Sequence, residues 1–205
     1  MKNLKHIIYL FTILLLFISC ENNTKKPDIK KTNTSEVNRP TPNNTELGKK
    51  IVPIDNGENL LFQRLMFNEQ TALFASSLTS GNLINVFSNS ENKFTVFAPS
   101  NDAFNAVDGK ILSDLFKDKF LIAAVLKLHI VPEKFDYETL SNKIIAGGGT
   151  FSLKTLMGEK IKATLSGNQI VLTDFNGTQV NVLNNKSIST DDGVYYIIDK
   201  VMAIN

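Results

Sequence analysis

Phe94-Thr95-Val96-Phe97-Ala98-Pro99-Ser100-Asn101-Asp102-Ala103-Phe104 holds a strand, a stop and a helix start in one continuous block. Phe94 to Ala98 is a short apolar run without alternation, the pattern of a strand buried on both faces. Pro99 has no N–H to give to a ladder, so the strand is predicted to stop there. Ser100, Asn101 and Asp102 are residue types that cap the free N–H groups of a helix start. Ala103 and Phe104 are then the first inward residues of that helix. Phe94, Val96 and Phe97 are expected in the core. The block carries no reactive chemistry, which leans against an enzyme.

Helical spacing surrounds the block. Leu61 and Leu65, then Phe74 and Leu78, fall four apart, with Asn68 as a break and Gly81 as a stop. Leu83 to Phe87 predicts a further turn. Downstream, Ile111, Leu112, Leu115 and Phe116 are expected to share one face. Ile122, Val125, Leu126 and His129 follow at i, i+3, i+4 and i+7, with Lys117, Lys119 and Lys127 pointing outward. His129 to Pro132 turns extended. The second half reads as strands. Ile161, Ala163 and Leu165 alternate with polar residues, Ser166-Gly167-Asn168 turns into Gln169–Thr173, and Val180 and Val182 alternate again. Asn176-Gly177 is a hairpin signal, because both residues tolerate positive φ. Asp191-Asp192-Gly193 is one more turn before the apolar run Val194–Met202. Helices first and a meander afterwards predict an α+β domain, with Phe94–Ala98 as the central strand tying the halves.

The N-terminal end has a different character. Lys2 and Lys5 precede an apolar run, Ile7 to Ile18, that is too short to span a bilayer and has the length of a signal-peptide core. It ends Phe17-Ile18-Ser19-Cys20, which resembles the lipobox of bacterial lipoproteins, with Phe17 where that motif usually has Leu. Cys20 is the sole cysteine, so no internal disulfide can form. The resemblance implies a signal peptide over 1–19 and diacylglyceryl and N-acyl chains on Cys20, together a firm membrane anchor. Residues 21–57 hold Pro27, Pro40, Pro42 and Pro53 and no aromatic residue, the composition of a polar tether. The expected division is signal peptide 1–19, lipidated cysteine and linker 20–57, and one domain, 58–205. That domain carries 13 basic and 15 acidic residues, which leaves no electrostatic footprint for nucleic acid.

Three landmarks resemble the signatures of the fasciclin-like (beta-Ig-H3/fasciclin) family, in order and in register. They are Phe94–Phe104, Leu126–Phe135 (LKLHIVPEKF) and Asp192–Asn205 (DGVYYIIDKVMAIN), and Thr155-Leu156-Met157-Gly158 resembles the family's Thr-Leu-x-Gly turn. The departures are Leu128 where the family has Tyr, Glu133 where it has Gly, Asp192 where it has Asn, and Tyr196 where it has His. The resemblance implies a single domain whose N-terminal helices pack against an antiparallel sheet wedge. It marks Phe94, Val96, Phe97, Pro99, Asn101, Phe104, His129, Gly193 and Asp199 as structural signature residues. It also implies an extracellular, non-catalytic adhesion or matrix-binding role, through protein or polysaccharide. By the same resemblance, Ile198, Asp199 and Val201 are weak candidates for partner contact.

Chemical candidates are few. His129 is the only histidine outside the signal segment, so a metal site of several histidines is excluded and neither metal nor cofactor is expected. Its lone place on an apolar face fits a neutral core histidine hydrogen-bonded to Asn101 or to a backbone group. A triad with Ser100 or Ser113 has no local signature behind it. Asp199 is either a hydrogen-bonded carboxylate tying strand to loop or an exposed edge residue. Gly147-Gly148-Gly149 opens no phosphate-loop pattern and is expected to serve a flexible hairpin. Two rivals to adhesion stay open: a carrier of a small carotenoid- or lipid-like molecule, suggested by the phenylalanine content, and a hydrolase acting on surface polymers.

Overall fold

The computed structural model describes residues 60–88 and 91–204. The signal segment, Cys20 and the tether lie outside the described residues. Two helices open the domain: α1 (Leu61–Phe67) and α2 (Ala72–Ser80) bury Leu61, Leu65, Phe74 and Leu78. A 3-10 turn, Ile84–Phe87, leads into β1 (Phe94–Pro99). Then come α3 (Asn101–Asn105), α4 (Gly109–Lys117), α5 (Lys119–Leu128) and the short β2 (Ile130–Val131). The second half is not all strand. α6 (Tyr137–Ala146) starts on an Asp136 carboxylate that accepts from the Thr139 N–H at 2.8 Å, and it buries Leu140 and Ile144. β3 (Thr150–Lys154), β4 (Lys160–Ser166), β5 (Gln169–Thr173), β6 (Gln179–Asn181), β7 (Ile188–Thr190) and β8 (Gly193–Ile198) complete the described chain.

The strands form two sheets, ordered β2-β1-β8-β7 and β3-β4-β5-β6. The second is the antiparallel meander. β8 does not continue it. It runs parallel to β1, from Phe94 opposite Gly193 to Pro99 opposite Ile198. A bridge from Val182 to Ile198 links the end of β6 to β8, so the sheets meet along that strand. The pair β1–β8 is a wall between two cores. Phe94, Val96, Ala98, Tyr195 and Ile197 face α1, α2 and α5 on one side. Phe97, Val194, Tyr196 and Ile198 face the meander and α6 on the other. A strand buried on both faces needs apolar residues at every position, which is why neither run alternates.

Several local expectations are corrected. Pro99 is the last residue of β1 and holds a register position, since β1 ends there and only its missing N–H is lost to the ladder. Ser100 alone caps α3, accepting from the Ala103 N–H at 3.0 Å. Asn101 turns away to α2: its side chain accepts from the Leu73 N–H at 3.0 Å and donates to the Glu69 carbonyl at 2.6 Å. Asn176-Gly177 does not make a two-residue hairpin. Only Gly177 takes positive φ, and the Asp174 carboxylate organises a longer turn by accepting from the Asn176 and Thr178 N–H groups. Gly147-Gly148-Gly149 closes α6, each N–H donating to a carbonyl of the helix's last turn, on Lys143, Ile145 and Ile144.

Asp192 does what Leu60, the residue before α1, cannot. Its buried carboxylate accepts from the Leu61 N–H at 2.7 Å and from the Thr190 hydroxyl at 3.1 Å. The first helix is thus capped by the turn before the last strand. Replacing Asp192 by Ala is expected to cost about 1–2 kcal/mol, because a buried helix-start donor loses its acceptor. Asp192→Asn keeps an acceptor oxygen and is expected to cost less than half as much. Urea midpoints of the two variants check this order.

Candidate functional site

The closing segment after β8 brings together the residues with a possible outward role, and it does not treat them alike. Ile198 is fully buried, with its carbonyl accepting from the Ser100 N–H at 2.9 Å, so its side chain is closed to a partner. Asp199 is half-buried and tied to the meander. Its carboxylate accepts from the Asn181 N–H at 2.8 Å and from the Asn181 side-chain amide at 2.7 Å, while its own N–H donates to the Asn181 carbonyl at 3.1 Å. Of the two roles open to Asp199, the geometry gives the tie. Val201 is 5% exposed, yet it lines a surface groove.

That groove, about 360 Å³, lies between α3, the start of α4 and the closing segment. Val107, Ile111, Val201 and Ile204 give it apolar walls, and Asp108, Thr178 and Lys200 stand among its lining. Ile111 and Ile204 also line a neighbouring depression of about 270 Å³ with Leu115, Leu121 and Val125. The closing segment is held in place by Asp174, whose buried carboxylate accepts from the Ala203 N–H at 2.8 Å. The Asp108 carboxylate is occupied in capping α4, accepting from the Lys110 and Ile111 N–H groups. Lys200 donates to the Gln179 carbonyl at 3.2 Å. What remains available is an apolar trough flanked by the charges of Asp108 and Lys200, suited to an apolar side chain or acyl group rather than to bond-making chemistry.

His129 lies elsewhere, fully buried under Phe74, whose ring centroid is 5.8 Å away. Its Nδ1 is 2.8 Å from the Val125 carbonyl and its Nε2 is 3.1 Å from the Met202 N–H. A carbonyl only accepts and an N–H only donates, so the proton sits on Nδ1 and Nε2 is bare. Burial lowers its pKa from 6.5 to about 4, against the smaller opposing pulls of the Val125 carbonyl and the Asp174 charge. The partners are both backbone groups, and Asn101 is not among them. Both ring nitrogens are therefore committed, Ser100 is a cap and Ser113 is exposed on α4. Among the described residues no group of three or more metal-ligating side chains comes together.

The departure at Tyr196 finds structural partners. Tyr196 is buried, stacks on Phe97 at 5.3 Å and donates its hydroxyl to the Phe135 carbonyl at 2.8 Å; burial is the main reason its pKa is raised. Thr95 is also buried. Its hydroxyl donates to the Glu133 carbonyl at 2.7 Å and accepts from the Phe135 N–H at 2.8 Å, pinning the loop that follows β2. Sequence reasoning missed the surface of α4 and α5. Ile111 and Phe116, read as sharing a face with Leu115, are 39% and 42% exposed, because Leu115 alone takes the buried line of α4. The signal was present in the width of that apolar face.

A family model described as Fasciclin domain matches residues 69–204. The chain is 34% identical over 110 residues to human periostin, covering 53% of this chain and 12% of that one. It is 25% identical over 140 residues to the pig transforming growth factor-beta-induced protein ig-h3, covering 68% of this chain and 19% of that one. It therefore spans a small fraction of the length of either relative. A solved FAS1 domain pair from the insect cell adhesion molecule fasciclin I superposes with a TM-score of 0.60 at 14% identity, over 70% of this chain and 50% of that one, which shows a common fold.

Proposed function

The chain belongs to the fasciclin domain family, and from that premise we propose that it is a non-catalytic adhesion module, displayed outside the cytoplasmic membrane on a lipid-anchored tether. The observation that carries this reading is the family match over 69–204, almost the whole described domain, with a fold shared with a cell adhesion molecule. The commitment of His129 to backbone partners removes the one histidine a hydrolase of this domain could use. Cys20 at the end of the apolar run supplies the anchor, and the bound partner is an extracellular protein or polysaccharide. The test is cell attachment to surfaces coated with matrix proteins or polysaccharides, by cells expressing the full chain or its Cys20→Ser variant. The expected result is attachment with the unaltered chain and its loss with Cys20→Ser, whose protein leaves the membrane fraction. Equal attachment with and without the chain would sink the adhesion reading, and retention of the Cys20→Ser chain in membranes would sink the anchor.

The trough beside Ile111, Val201 and Ile204 favours one second reading, a carrier of a small apolar molecule. It predicts that protein purified without detergent brings lipid or pigment with it. Material free of both would count against it.

A further inference from the structure

We propose that the corner between α4 and α5 dips into the headgroup region of the bilayer to which the chain is tethered, an inference that rests on the anchoring proposed above. The helices α4 and α5 are separated by a single residue, Asp118. At this corner the apolar residues face water. Phe120 is 90% exposed, the most exposed large apolar side chain among the described residues, and Leu121 and Phe116 on either side are 49% and 42% exposed. Ile111 continues the patch along α4 toward Leu121, with which it shares a depression. Scattered apolar residues on a surface need no explanation, but four exposed large ones at a single helix corner do.

The proposed anchor at Cys20 and the lysine beside the patch choose the occupant. Lys117 and Lys119 bracket the corner. The flexible Lys119 stem can lie along apolar surface while its ammonium group reaches outward to a lipid phosphate. Lysine is depleted from protein–protein interfaces and favoured where a helix meets a membrane surface. The local acids balance most of this charge and leave Lys119 over. Asp118 spends its carboxylate on the Phe120 and Leu121 N–H groups, and Asp114 pairs with Lys110 and Lys117 at 3.5 and 3.0 Å. Lys119 has no ion pair among the described residues. With Cys20 anchored as proposed, the encounter of the corner with the bilayer is intramolecular, so a weak insertion suffices.

The chain contains no tryptophan, so Phe120→Trp in the full chain gives a single reporter. Reconstitution in vesicles of mixed anionic and zwitterionic phospholipid, with acyl-brominated lipid as quencher, reads its depth. The expected result is a blue-shifted emission quenched about twofold, with no quenching of the Ile145→Trp control on the exposed side of α6. Equal quenching at both positions, or none at Phe120→Trp, overturns the proposal. So does a blue shift that persists without vesicles and grows with protein concentration, which would assign the patch to a second copy. Cys20→Ser decides the anchor separately: its loss from membranes supports the tether, whereas its retention removes the tether and leaves the corner to stand or fall on the quenching alone.

Discussion

Gly193→Ala is expected to cost the domain at least about 3 kcal/mol. A Cβ built on Gly193 meets the Phe94 carbonyl oxygen at 2.3 Å, the Phe94 nitrogen at 3.0 Å and the Leu61 Cδ1 at 2.8 Å. The leucine tip can move, but the Phe94 backbone cannot. Phe94 is paired with Gly193 at the first rung of β1 and β8, and its N–H donates to the Asp192 carbonyl at 3.1 Å. Relief requires parting the two strands that wall off both cores, and it drags Asp192 from the start of α1. For a domain of this size the loss corresponds to about ten degrees in melting temperature. Gly109→Ala is the contrasting case. Nothing lies within 4 Å of its Cβ and it sits at the start of α4, so a change of no more than about 0.5 kcal/mol is expected there. Thermal melts of the two variants side by side check the argument. A Gly193→Ala melt close to the parent would mean that β1 and β8 are not locked at this rung.

The same rung shows what could and could not be read from the chain. The strand Phe94–Ala98 and the run after Gly193 were legible because an unbroken apolar stretch is itself the mark of burial on both faces. Their parallel pairing was not, because nothing local in either run states which distant strand lies beside it. Caps suffered the same blindness. A capping side chain is read as serving its own helix, yet Asp192 serves a helix 131 residues away and Asn101 one 28 residues away. In α6 the signal was local and present: Asp136 and Thr139 at the start, Leu140 and Ile144 four apart, and a glycine run to close it. The strand-like stretches after it drew the whole second half toward sheet. At the candidate site, Val201 was named from the sequence but its partners Ile111 and Ile204 were not. Periodicity says which helix residues share a face. It does not say where the neighbouring elements end, and that boundary is what leaves Ile111, Phe116 and Phe120 in water.

His129 is expected to make the domain acid-sensitive in a particular window. Its pKa is 6.5 in the unfolded chain and about 4 in the fold. Between these values the unfolded state binds the proton that the folded state refuses, so stability falls as pH drops from about 6.5 to about 4 and is fully present above that range. The displacement corresponds to about 3 kcal/mol, of the order of magnitude of a typical domain's spare stability. Desolvation is the main cause, and geometry adds to it. A proton on Nε2 would point at the Met202 N–H 3.1 Å away, turning a hydrogen bond into a clash of donors. Breaking that contact loosens the closing segment that walls the apolar trough, leaving the Asp174–Ala203 bond to hold it. His129→Asn keeps a donor for the Val125 carbonyl but cannot titrate, so it is expected to be less stable at pH 7 and to have a flatter profile. Urea unfolding of parent and variant at steps from pH 7.5 to pH 4 measures it directly. Curves that converge by about 3 kcal/mol toward acid support the buried neutral ring; curves that stay parallel would show that His129 is not what loosens the fold.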